Sequence, residues 1–358
     1  MAYKPNKAVH PGYQVARALE REGMTQKNLC DRTGLSEKHL SQIVNGEASI
    51  TIETALSLEN ALGGTAAFWI NLDKNYQETK ARIERLSILS GEVDLLIKYP
   101  YAELARRGRG YVQATLKSGE KVESLCKFFG VNSLNFIPTV QPVAYRKRAV
   151  NEGKDGAIAT WLRCGEIDAR ENKVAPFSET TLKNTLPQLR ALSLKAPKDF
   201  SIEAQTILAK SGVSLVYVEH FKGTGVSGAV RWVGDNPLIQ LSLLGTYADR
   251  FWFNLFHEIG HLIYHGKKGQ FIEFKNPQSG EKELEANSFA ADVLIPKENY
   301  VEFVQKGDFS KQSVLEFAQQ LSIHPGIVEG RLKHEKKLNW RQSLGLQDQL
   351  AFKKDETA

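Results

Sequence analysis

The stretch Phe251–His265 constrains this chain more than any other. It reads Phe-Trp-Phe-Asn-Leu-Phe-His-Glu-Ile-Gly-His-Leu-Ile-Tyr-His, and its apolar residues leave no purely polar face, so a helix here must be largely buried. Inside it sits His257-Glu258-Ile259-Gly260-His261. At about 3.6 residues per turn, positions 257 and 261 lie one above the other on one helix face. Two imidazoles can then reach one ion while Glu258 points beside them. Two buried histidines need a reason, and this spacing suits a catalytic zinc.

A catalytic zinc needs a third protein ligand and an open position for water. The candidate is Glu283, in the segment from Glu281 to Pro296, which has helical composition and is ended by its proline. Glu283 lies four residues before Asn287 on one face, so Asn287 can orient a ligand from behind. Ala286, Phe289, Ala290, Val293 and Leu294 form the stripe that would pack this helix on the first. Glu285 is the rival ligand; it sits about 200° round the helix from Glu283, so only one of the two can face the metal. His265, a further turn along from His261, reads as a structural or near-surface histidine.

Residues 249–265 and 283–296 resemble the ImmA/IrrE-type metallopeptidases, with the likeness extending over roughly residues 201–296. The resemblance implies that His257, His261 and Glu283 are metal ligands, that Glu258 is the general base, and that the activity is limited proteolysis of a regulatory protein. Zn2+ is the expected cofactor, with Mn2+ as the alternative. Tyr247 and Arg250, just upstream, are candidates for polarising a scissile carbonyl.

At 358 residues with 42% hydrophobic composition, the chain can build more than one core. Cys30, Cys126 and Cys164 are far apart and lack CxxC spacing, so neither a disulfide framework nor a cysteine zinc knuckle is indicated. No apolar run approaches the roughly 20 residues that span a bilayer, and the N terminus lacks a signal-peptide core. The expectation is a cytoplasmic protein with no membrane partner.

From Pro11 to Gln77 the pattern is helical, broken at Gly23, Gly34, Gly46 and Gly63-Gly64. Thr25 caps a helix beginning at Gln26, Gly34 makes a turn, and Ser36 caps the next helix, with Leu29, Cys30, Leu35, Leu40 and Ile43 as its core. That leaves Gln26, Ser36, Glu37, Lys38, His39, Ser41, Gln42 and Asn45 as polar positions on a face that could enter a major groove, with Lys38 and Gln42 able to read base edges. The segments His10-Pro-Gly-Tyr, Gly34-Leu-Ser, Leu40-Ser-Gln-Ile-Val-Asn-Gly46 and residues 67–76 resemble the lambda-repressor-like family, and within it the HigA-type antitoxins. The resemblance implies binding of double-stranded operator DNA as a homodimer. Residues 1–80 carry Lys4, Lys7, Arg17, Arg21, Lys27, Arg32, Lys38, Lys74 and Lys80 against an equal number of acids, so phosphate attraction is modest. The basic excess lies further on, at Arg106, Arg107, Arg109, Lys117, Lys121, Lys127, Arg146, Lys147 and Arg148.

Residues 78–107 read as helical, with Ile83, Leu86, Leu89, Leu95, Leu96 and Ile97 as a packing or dimerisation seam, and residues 144–194 read as helical again. Strands are expected at 213–218 and 238–243, with Gly223, Gly225 and Gly228 between them as a flexible rim beside the site. His220 has no evident partner. Residues 314–332 repeat a helix-turn-helix-like pattern whose Leu315, Ala318, Leu321, Ile323, Ile327, Val328 and Leu332 suit packing, and the tail from Asp348 is polar and expected to fray. The expected fold class is mainly α with a small β-sheet (α+β). It comprises a helix-turn-helix domain at 1–80, a helical middle at 81–200, a zincin-like HExxH metallopeptidase domain at 201–300 and a helical segment at 301–358. The expected function is a DNA-binding, antitoxin-like repressor carrying a zinc endopeptidase. The alternative is a repressor whose metal domain is non-catalytic and senses a metal or holds a toxin.

Overall fold

The computed structural model describes residues 5–137, 154–242, 247–266, 271–274 and 280–350. The chain divides into two compact units, Met1–Asp94 with Thr115–Glu123, and Leu95–Ala114 with Ser124–Ala358.

The first unit is built from α1 (Gly12–Arg21), α2 (Gln26–Thr33), α3 (Glu37–Val44), α4 (Ile52–Leu62) and α5 (Ala66–Ser90). Local chemistry sets most of the boundaries. The hydroxyls of Thr25, Ser36, Thr51 and Thr65 each accept a backbone N–H three residues on, and Gly34 ends α2 in the left-handed region at φ 73°. Val15, Leu19, Leu29, Leu40, Ile43, Leu58, Leu62 and Trp69 fill the core. α1 approaches α3 so closely that a Cβ at Gly12 would collide with the Ile43 carbonyl oxygen. Asp73 reaches back from α5 to accept the Ile50 N–H at 3.2 Å. Leu35, expected in this core, is only half-buried at the turn.

The predicted continuous helix over 78–107 is interrupted. α5 stops at Ser90, a 3-10 turn spans Val93–Lys98, and after Pro100 only the short α6 (Tyr101–Arg106) forms. A missing amide and the restriction on the residue before proline make Pro100 a break point. The expected seam is therefore not one stripe: Leu89 is buried while Ile83 and Ile97 are exposed. α7 (Ser118–Phe129) follows, and Phe136, counted with its apolar neighbours, is 53% exposed. Pro138, Pro142, Arg146, Lys147 and Arg148 lie outside the described residues.

The second unit has a four-stranded sheet in the order β1-β3-β2-β4, from β1 (Ser214–Tyr217), β2 (Val226–Val233), β3 (Asn236–Leu241) and β4 (Phe271–Phe274). β1 runs parallel to β3, with Leu215 opposite Ile239. β2 and β3 form a hairpin through Gly234, and β4 pairs antiparallel with β2 past a register shift between Val226 and Gly228. Two strands were thus missed by sequence, and Gly228 belongs to β2 rather than to a loop rim. Leu243 lies outside the described residues.

Both sheet faces are covered, as a strand-length apolar run requires. Behind it lies α8 (Asp155–Ala169). There the buried Arg231 pairs with Glu166 at 2.9 Å and donates to Gln240 Oε1 at 3.0 Å, while Gln240 donates to the Trp161 carbonyl at 2.7 Å. Burial, partly offset by Glu166, lowers the Arg231 pKa to about 10. α9 (Glu179–Ala191) and α10 (Pro197–Lys210) lead into β1. On the other face, Leu215, Val230, Ile239 and Leu241 pack with Phe251, Trp252, Leu255, Phe256 and Ile259 of α11 (Ala248–His265). Burying five such side chains supplies roughly 1.5–3 kcal/mol each before entropy is counted.

α12 (Glu281–Leu294) lies against α11, close enough that a Cβ at Gly260 would press on Phe289 and Ala286. α13 (Lys297–Lys306), α14 (Lys311–Leu321) and α15 (Pro325–His334) complete the unit. Ala318, Ile323, Ile327, Val328 and Leu332 enter the core as expected, whereas Leu315 is 36% exposed. The tail departs from expectation at its start: the Asp348 carbonyl accepts the Ala248 N–H at 2.9 Å, Gln349 bridges Tyr247, and Leu350 is buried. Buried Glu329 holds this segment, accepting from Leu344 N–H at 3.0 Å and Leu346 N–H at 3.1 Å while pairing with Lys333 at 2.6 Å. Residues 351–358 lie outside the described residues.

Candidate metal centre and nucleic-acid face

α11 is apolar almost all round, so its histidines enter the core with it: His257, Glu258 and His261 are all buried. α12 brings Glu283 over them from its first turn. His257 Nε2 and His261 Nε2 lie 3.0 Å apart, and Glu283 Oε2 is 3.3 Å from the first and 3.5 Å from the second. Among the described residues, these three are the group whose ligand atoms converge, all within 4.8 Å of one another. Tetrahedral coordination with bonds of about 2.0–2.1 Å would space ligand atoms by roughly 3.3 Å. The donor set and its spacing therefore fit a tetrahedral cation such as zinc.

The tautomer of His257 follows from its neighbour. Its Nδ1 lies 2.9 Å from Asn287 Oδ1, an acceptor, so Nδ1–H donates and Nε2 presents a lone pair to the cluster. Burial lowers the His261 pKa, which keeps that ring neutral. Glu283 Oε2 is buried with no hydrogen-bond donor among the described residues and faces the two Nε2 lone pairs, an orphaned acceptor that a cation would satisfy. Neutral imidazoles and an ionised carboxylate are the ligand forms a divalent ion requires.

Glu258 points to the sheet side. A Cβ at Gly228 of β2 would overlap Glu258 Oε1, so the strand is bare where the carboxylate needs room. This contact was missed by sequence, although Val226-Ser-Gly-Ala-Val-Arg-Trp-Val233 carried a strand signal in its β-branched and aromatic residues. Glu285, the rival ligand, instead accepts from His265 Nε2 at 3.0 Å. Tyr247 and Arg250 lie at the N-terminal end of α11. At 1.5 Å per residue, Arg250 stands about 10 Å along the axis from His257, and Tyr247 further still. Tyr247 pairs with Gln349 of the tail. His220 is half-buried, with its pKa lowered by burial and its carbonyl accepting from Arg107 at 3.1 Å.

In the first unit, Gln26, Ser36, Glu37, Lys38 and Asn45 are exposed, whereas His39, Ser41 and Gln42 are half-buried. Ser36 is occupied as the cap of α3, its hydroxyl accepting the His39 N–H at 3.2 Å. The His39 ring bonds Thr54 at 3.3 Å, tying α3 to α4, and Asn45 Nδ2 donates to Ser41 at 3.3 Å. Gln26, Glu37 and Lys38 are the exposed long polar side chains of this set.

Two family profiles match this chain: one described as helix-turn-helix over residues 15–69, and an M78 peptidase profile described as an IrrE N-terminal-like domain over residues 210–333. Virulence-associated protein I of Dichelobacter nodosus is 31% identical over 83 residues, 23% of this chain and 76% of that protein. An addiction module antidote protein of a HigA family from Coxiella burnetii is 30% identical, with 24% of this chain and 95% of that one covered at a TM-score of 0.23. No helix among the described residues is long and apolar enough to cross a membrane.

Proposed function

We propose that this chain, which belongs to the helix-turn-helix family through residues 15–69 and carries an IrrE N-terminal-like domain over residues 210–333, is a DNA-binding transcriptional regulator whose second unit is a zinc-dependent endopeptidase acting on a regulatory protein. The observation that carries the peptidase reading is the convergence of His257, His261 and Glu283, with the buried Glu258 next in the chain to His257. Two imidazoles with one carboxylate favour zinc over manganese, which prefers oxygen ligands.

A divalent ion held there by His257, His261 and Glu283 would polarise a peptide carbonyl and make water more acidic. Glu258 supplies the proton acceptor: its carboxylate takes a proton from the attacking water and returns it to the departing amine. Gly228 leaves the space this carboxylate occupies, and Asn287 fixes the His257 ring. His265, one turn beyond His261, is engaged by His261 and Glu285 rather than standing among the three converging groups. That supports an open coordination position over a closed structural site, and so the peptidase over a metal-sensing or toxin-holding domain.

The first unit is proposed to bind operator DNA as a homodimer through α3, with half-sites about 34–36 Å apart. The second is proposed to cut a repressor or toxin partner in the cytoplasm. The test is Glu258→Gln, incubated beside wild type with purified helix-turn-helix repressors and toxins of the same organism. The variant should keep its metal and lose roughly a hundred- to ten-thousand-fold of any cleavage. Cleavage at the wild-type rate by the variant would contradict the assignment.

A further inference from the structure

The geometry points to a relay, His261–His265–Glu285, in which His265 is a positioning residue that fixes the tautomer and ring orientation of His261 for metal binding. The relay rests on the metal reading above and assigns a role to two residues that reading leaves unused.

His261 Nδ1 lies 3.2 Å from His265 Nδ1. Two facing ring nitrogens can bond only if one carries a hydrogen and the other a lone pair. The far side of His265 decides which. Its Nε2 lies 3.0 Å from Glu285 Oε2, and an ionised carboxylate can only accept. His265 Nε2 therefore carries the hydrogen, and a neutral imidazole has one to give, so His265 Nδ1 is an acceptor. It takes the hydrogen of His261 Nδ1, which leaves His261 Nε2 bare and aimed at His257 Nε2 and Glu283.

The arrangement parallels the other ligand. Asn287 Oδ1 does for His257 in one step what His265 and Glu285 do for His261 in two. The side chain of His265 is 6% exposed and that of Glu285 52%, so the relay runs from the surface into the core. Helix periodicity supplies both ends. His265 is one turn beyond His261 on α11, and on α12 Glu283 and Glu285 divide into ligand and relay anchor.

The experiment is equilibrium titration of the full chain with Co2+, read by its visible absorption, for wild type, His265→Ala and His265→Asn. Wild type should bind one ion. His265→Ala should weaken binding about 10- to 100-fold, the usual effect of removing a group that orients a ligand, and shift the absorption band. His265→Asn should recover most of the loss, because its Oδ1 can accept from His261 as that of Asn287 accepts from His257. A merely structural role for the ring would not be rescued by the smaller amide. Wild-type affinity and spectrum in His265→Ala, or an Asn variant as weak as the Ala variant, would overturn the relay. A wild type that binds no Co2+ would instead overturn the metal reading itself, and the relay with it.

Discussion

Replacing Glu329 by alanine should release the C-terminal segment and cost the second unit several kcal/mol. Glu329 is fully buried, and its partner Lys333 is 4% exposed, with Nζ 2.6 Å from the carboxylate. Removing one member of a buried pair typically costs about 3–5 kcal/mol, because the other charge stays behind in the interior. Here Lys333 keeps Gln347 Oε1 at 2.9 Å, which softens the loss. The N–H groups of Leu344 and Leu346 lose a charged acceptor, but both residues are half-buried and water can replace it. The expected cost therefore stays at about 3–5 kcal/mol rather than the sum of its parts. The assay is amide hydrogen exchange. At about 1.4 kcal/mol per decade, protection at Leu344 and Leu346 should fall by roughly two to three and a half decades. Glu329→Gln, which keeps a carbonyl acceptor, should fall between. Protection at those amides within about threefold of wild type in Glu329→Ala would refute the reasoning.

Gly228→Ala should keep metal affinity but displace the Glu258 carboxylate, and a misplacement near 1 Å is expected to cost about a hundredfold in cleavage once a substrate is found; unchanged turnover would show that the strand does not set the base. Lys38→Ala with Gln42→Ala should weaken operator binding by roughly 1–3 kcal/mol per lost base contact and relax sequence preference, read by titration at fixed salt. Unchanged affinity would remove both residues from the interface. Burial raises the Asp249 pKa above its ordinary value despite the hydrogen bond from Gln347, so the folded state holds this proton more tightly than the unfolded chain. Its contribution is then fully present below the unfolded value near 3.9 and is lost as pH rises through the folded one. Asp249→Asn should therefore stabilise the second unit at pH 7 and make no difference below about pH 3.9, as thermal denaturation at the two pH values would show.

Much of this architecture was legible where the signal is local. Thr25, Gly34 and Ser36 mark their helix boundaries by chemistry reaching only three or four residues, and the histidine spacing on α11 needs nothing beyond helix periodicity. Glu283 and Asn287 were legible for the same reason. What stayed hidden depends on segments distant in sequence. Gly228 acquires meaning only when β2 is laid against α11, and Arg231 only when α8 covers the back of the sheet. The tail looked polar and free because its anchor, Glu329, reads from sequence as an ordinary helical acid. His265 and Glu285 were each seen singly, one as a structural or near-surface histidine and one as a rival ligand, since the bond between them crosses two helices. The helix over 78–107 was overextended because its apolar spacing continues past Ser90, where α5 ends at Gly91.

The most direct test of the central claim is the structure of the zinc-loaded protein with anomalous scattering at the zinc edge. The account predicts one ion bound by His257 Nε2, His261 Nε2 and a Glu283 oxygen, with a non-protein ligand in the fourth position and Glu258 beside it. An ion closed by a fourth protein ligand, or zinc bound away from these residues, would contradict it.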